Sequence, residues 1–187
     1  MPALTRLETT PLTWQRVAGL RPAFALHAKE GIVATLSFQP GDTTLARVET
    51  ADGAWTLMHR GFPSDTVTLR LLDSRVDLAT FHPHPLGHGE LVFLSGETFD
   101  WIRLEEAEGG AAFLDQDGMT VVRLTLRPDT SHRMIPDEPI LALAEVGLPH
   151  RLLPAGPALL AAVGWYLLRV EALLEQSDQA AGTSLQL

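Results

Sequence analysis

From Phe24 to about Arg127 the chain alternates polar and apolar residues with period two, the spacing that puts one face of a strand in a core and the other in water. Thr44-Leu45-Ala46-Arg47-Val48-Glu49 alternates in this way, Asp52-Gly53 follows, and Trp55-Thr56-Leu57-Met58 resumes the pattern. An Asp-Gly pair between two such runs predicts a hairpin, because a type I′ turn needs positive φ at both central residues. The device recurs. Glu90 to Leu94 leads through Ser95-Gly96 to Thr98–Leu104, and Ala111 to Leu114 leads through Asp117-Gly118 to Met119–Leu126. Thr66–Leu71 and Val76–Phe81 flank Asp73-Ser74-Arg75 in the same manner. Many short strands at steady spacing predict an antiparallel meander, which must close or be covered to protect its edges.

The period changes toward the C-terminus. Ile140 to Leu148 fits either a last strand or a short helix, and Pro157 to Gln176 reads as one helix with proline at its first position. The first part of that helix is apolar all round, and Arg169, Glu171 and Glu175 give it a polar side only later. A helix with no polar face is buried on every side. The uncharged run Leu152 to Leu168 approaches the roughly 17 residues of the shortest membrane span, but Pro154, Gly156 and Pro157 occupy its start. No stable span is expected, and the interior of a closed β-barrel is one place that suits the helix. Residues 1–176 are expected to form a single domain and residues 177–187 a flexible tail.

At 187 residues, the chain has the length of one domain. It has no cysteine, which excludes disulfides, thiolate metal sites and a cysteine nucleophile. Its net charge of −9 opposes an unaided grip on the phosphate backbone, so nucleic acid is not an expected partner. The N-terminal residues lack the basic and apolar regions of a secretory signal, and a cytoplasmic protein is expected. Lys29 is the sole lysine beside heavy Arg and Ala usage, the composition expected of a GC-rich bacterial genome.

A β-meander followed by one wholly apolar C-terminal helix resembles the tubby C-terminal-like superfamily of tubby proteins, phospholipid scramblases and LURP-one-related proteins. Ala46 to Leu57 with Arg60-Gly61-Phe62, the turns Ser95-Gly96 and Asp117-Gly118, and Gly164-Trp165-Tyr166-Leu167-Leu168 carry the resemblance, which covers roughly Ile32 to Glu175. It implies a closed antiparallel barrel of twelve strands filled by the C-terminal hydrophobic helix. It also implies a non-catalytic binding or adaptor domain whose ligand is a lipid or another phosphate-bearing molecule. The chain departs from scramblases in having no cysteine to palmitoylate.

The stretch with the most chemistry is His82-Pro83-His84-Pro85-Leu86-Gly87-His88-Gly89-Glu90. Imidazoles and a carboxylate suit zinc, iron or manganese, so His82, His84, His88 and Glu90 are the candidate ligands of an alternative reading as a cupin-like metal-binding barrel or small metal-dependent enzyme. Against it, five residues separate His84 from Glu90 where a cupin has three or four, and Pro83 and Pro85 remove donors that a central strand needs. An exposed loop between hairpins accounts for the same residues. Ser95 lacks the Gly-x-Ser-x-Gly elbow of a nucleophile, and the acidic runs at Glu105, Glu106, Glu108 and at Asp115, Asp117 lie beside glycine turns where solvated charge is expected. There is no phosphate loop or dinucleotide fingerprint, and no cofactor is expected. Trp55 and Trp101 read as core, while Trp165-Tyr166 fits either a membrane-interface belt or a plug at the barrel mouth. Arg47, Arg60, Arg70, Arg75, Arg103 and Arg123 read either as an anion-binding face or as outward residues paired with carboxylates.

Overall fold

In strand after strand the alternation divides the side chains into a buried and a wet set, and this division builds the wall of a barrel. The computed structural model describes residues 1, 12–19, 22–61, 65–104, 109–126, 142–147 and 156–183, with helix side chains as far as Leu174. Among the described residues the strands are β1 (Leu12–Val17), β2 (Ala23–Ala28), β3 (Gly31–Gln39), β4 (Asp42–Thr50), β5 (Gly53–Arg60) and β6 (Thr66–Leu71). They continue with β7 (Asp77–Pro83), β8 (Gly89–Phe93), β9 (Thr98–Arg103), β10 (Gly110–Leu114), β11 (Thr120–Leu126) and β12 (Ala142–Val146). Each pairs antiparallel with its neighbours in sequence, and β1 pairs with β12 through Leu12↔Ala144 and Trp14↔Ala142, which closes the barrel. Closure leaves no edge strand to template aggregation.

Ala46 and Val48 of β4, Trp55 and Leu57 of β5, Leu91 and Phe93 of β8, and Phe99 and Trp101 of β9 all point inward and are buried. Their alternates, among them Arg47, Glu49, Thr56, Glu90 and Asp100, face outward. These charged and hydroxyl-bearing positions interrupt the outer surface of the wall, where a lipid-embedded barrel presents a continuous apolar band.

The interior is filled by α1 (Gly156–Thr183). Every residue from Ala158 to Leu168 except Gly164 belongs to the buried apolar core, and Gly164 is buried with them. Trp165 stacks on Trp14 of β1 at 5.6 Å and meets Phe24 of β2 edge-on at 5.6 Å, while Tyr166 stacks on Phe38 of β3 at 5.8 Å. On the opposite side Gly164 brings the helix close to the wall: a Cβ there would lie 2.8 Å from Leu124 Cδ1 of β11 and 3.0 Å from Trp101 Cζ3 of β9. Contacts on both sides of the barrel place the helix inside it. The stretch Gly156–Leu174 is long and apolar enough to cross a bilayer by composition, and the strands supply the apolar surroundings it requires.

The helix starts one residue before the expected Pro157 and runs seven residues past Gln176. Gln179, Ala180 and Ala181 have the helix propensity to extend it, so the first part of the expected tail is helical, and residues 184–187 lie outside the described residues. The ambiguous segment near Ile140 is a strand, β12, because it closes the barrel against β1 and β11.

Candidate functional site

The helix does not fill the barrel to its rim. At the upper mouth, where β5, β7 and β9 end, a cavity of about 230 Å³ remains beside the last inward turn of α1. Val67, Phe81, Trp101, Leu167, Val170 and Leu174 form its apolar lining. His59 and Asp65 border it from the ends of β5 and β6, His84, Gly87 and His88 from the turn between β7 and β8, and Glu171 from the helix.

Each polar side chain is placed by an identifiable backbone device. The β4–β5 ladder pairs Leu45 with Met58, and beyond that point the Tyr166 hydroxyl enters between the strands. It accepts the His59 amide N–H at 2.9 Å and donates to the Thr44 carbonyl, so the helix supplies the link that anchors the end of β5. Burial pushes the Tyr166 phenol well above its ordinary pKa, which keeps the proton needed for the second bond. His59 then meets Asp65 through Nε2 and Oδ1 at 2.6 Å, with the imidazole mostly buried and the carboxylate two-thirds exposed. Arg103 Nη1 lies 3.1 Å from Glu171 Oε2 at an angle outside hydrogen-bond geometry, so that contact is ionic. Gly87, at φ +74°, lets the turn cross this pair, since a Cβ there would stand 2.9 Å from Arg103 Cγ and 3.1 Å from Glu171 Oε1. Asp65 at φ +29° and Leu86 at φ +66° hold left-handed conformations that side-chain-bearing residues adopt at a cost.

The histidine-rich stretch is divided by this architecture. His82 lies on β7 opposite Glu90 of β8, and both face outward. The strand ends at Pro83, after which the chain turns through a short 3₁₀ segment (Pro85–Gly87) held by the His84 N–H to His88 carbonyl bond of 2.8 Å. That turn carries His84 and His88 to the mouth and away from His82 and Glu90. Among the described residues no three His, Asp or Glu side chains are grouped so that they could hold one metal ion.

The other candidates have local roles. Ser95 donates to Glu97 within its own turn, and Asp115 Oδ1 accepts the amides of Asp117 at 3.0 Å and Met119 at 2.8 Å, closing the β10–β11 turn. Glu105, Glu106 and Glu108 lie outside the described residues. Arg47 pairs with Glu49, Arg70 with Asp77 and Arg103 with Glu171, so these three guanidinium groups are engaged by carboxylates. His59, Asp65 and Glu171 are the site residues that sequence reasoning missed. They come together only when the barrel closes round its helix, and no local spacing announces that. No protein-family model, curated protein or solved structure matches the chain.

Proposed function

We propose that the chain is a non-catalytic, cytoplasmic binding domain of tubby-like type that holds a small amphipathic ligand at the upper mouth of its barrel. The observation that carries the reading is the mouth cavity itself, with an apolar floor and a few convergent polar groups, the make-up of a small-molecule site. One lining residue, Asp65, holds a left-handed conformation, and such strain gathers at ligand sites. In this reading the imidazoles and carboxylates of the described lining orient the ligand. The barrel round one apolar C-terminal helix supports the tubby-like part of the proposal.

The size of the cavity limits the ligand. A cavity of about 150 Å³ holds benzene, so about 230 Å³ takes a body of roughly nine non-hydrogen atoms. That is a head group or a short length of chain rather than a whole acyl tail. No lysine or arginine stands among the described lining residues, and the phosphate-bearing part of the expected ligand draws no support from this mouth. Ligand-observed NMR with a set of such fragments tests the reading. Fragments should bind the wild type and lose at least tenfold in affinity to Leu174→Trp, a change at a half-exposed position that fills the mouth and spares the core. Equal binding to both proteins, or to neither, would reject the mouth as the site.

A further inference from the structure

We propose that the ligand of this mouth is a small organic cation, an ammonium group carried on a compact apolar body. The inference rests on the binding-domain reading above and adds the sign of the head group.

The charge on the lining has one sign. Asp65 and Glu171 are its fixed charges, and among the described residues no lysine or arginine borders the cavity. Arg103 stands behind Gly87 and directs Nη1 to Glu171, so it offsets part of one carboxylate without presenting a cation to the ligand. Asp65 uses Oδ1 for His59, and its exposed carboxylate has a second oxygen that can accept from an ammonium N–H. An anionic head at this mouth would instead face two carboxylates at close range, where like charges repel. The imidazole ring nitrogens of His84 and His88 add further hydrogen-bonding groups to the lining.

The floor selects in the same direction. Phe81 and Trp101 line the cavity, and aromatic faces attract an ammonium or its polarised CH groups. Val67, Leu167 and Val170 complete an apolar surface that a fully hydrated ion could not satisfy, so the cation must carry an apolar body. A bare metal ion is a poor fit, because no three carboxylate or imidazole groups among the described residues are grouped to hold one.

Three probes with the same body and different heads test the proposal: 2-phenylethylamine, 2-phenylethanol and phenylacetate, titrated at neutral pH while the His59, His84 and His88 ring signals are followed by NMR. The amine should bind at least tenfold more tightly than either companion, with Asp65→Asn narrowing that advantage and added salt weakening the amine alone. If the alcohol or the acid binds as tightly as the amine at the same histidines, the cation is wrong and the binding domain stands. If none of the three moves those signals, the cation and the mouth site fail together.

Discussion

Tyr166 is the only tyrosine in the chain, and its hydroxyl completes a ladder made of other residues' backbone. Removing it leaves a buried amide at His59 and a carbonyl at Thr44 without their partner, and an unmet buried polar group costs about 1–3 kcal/mol. Tyr166→Phe should lower the unfolding free energy by that amount in urea, and it should also weaken ligand binding, because His59 loses its anchor. A variant as stable as the wild type would mean that the strands close without the hydroxyl. The same residue sets an alkaline limit. Desolvation raises its folded pKa, with the His59 amide acting in the opposite direction and losing. A raised pKa contributes stability that is complete below the unfolded value of about 10 and declines as pH rises from there toward the folded value. The lone phenol should therefore show no phenolate absorbance in the folded protein at pH values where free tyrosine has ionised. Titration at the free-tyrosine pKa would show that the mouth admits water to the hydroxyl.

At the scale of an element, α1 is the core round which the barrel closes. Leu159, Leu160, Val163, Trp165, Tyr166, Leu167 and Leu168 are all buried, and at about 1.5–3 kcal/mol each their loss equals or exceeds the usual 5–15 kcal/mol of total stability. A chain ending before Pro157 should thus be unfolded or insoluble, and a soluble truncation with β-sheet circular dichroism and a cooperative melt would contradict the fold's dependence on the helix. Gly164→Ala should also destabilise, by about 1–3 kcal/mol of overpacking against Leu124 and Trp101, more than the roughly 1 kcal/mol of helix propensity it gains. Chemical denaturation of the variant decides between the two terms. These features were legible in the sequence because they are local: the period-two strands, the Asp-Gly and Ser-Gly turns, and a helix with no polar side all point to a filled barrel. Leu12-Thr13-Trp14-Gln15 of β1 alternates as clearly as its neighbours, yet it lies before the stretch that stood out, and its worth appears only in its pairing with β12. The site was half legible. His84 and His88 are conspicuous, but strand alternation turns His82 outward, and the partners that replace it, His59, Asp65 and Glu171, are distant in sequence.

For the whole molecule, charge governs how the fold responds to acid. With 23 acidic residues against 14 Lys and Arg, the net charge is −9 near neutrality, and it becomes strongly positive once the carboxylates and the 7 histidines are protonated. Self-repulsion at low pH acts on the whole barrel, and specific pairs add to it. Asp77 is held below its ordinary pKa chiefly by its hydrogen bond from Arg70, against a smaller rise from burial, and the charges of Arg70 and Arg60 add to the lowering. Asp42 is lowered by the hydroxyl and amide of Thr44. A depressed folded pKa means stability that is complete above the unfolded value of about 3.9 and is lost as pH falls through the folded value. Asp77→Asn separates the local part from the global one, because asparagine mimics the protonated acid at every pH. Near pH 6 the variant should melt below the wild type, by at most about 4 °C for an exposed pair in a domain of this size. As pH falls through the folded pKa of Asp77 the gap should close, since the wild-type carboxylate then becomes neutral while the repulsion is shared by both. A gap that does not narrow anywhere between pH 6 and acid unfolding would show that loss of the Asp77 charge does not drive that unfolding, and would leave it to the net charge and the remaining carboxylates.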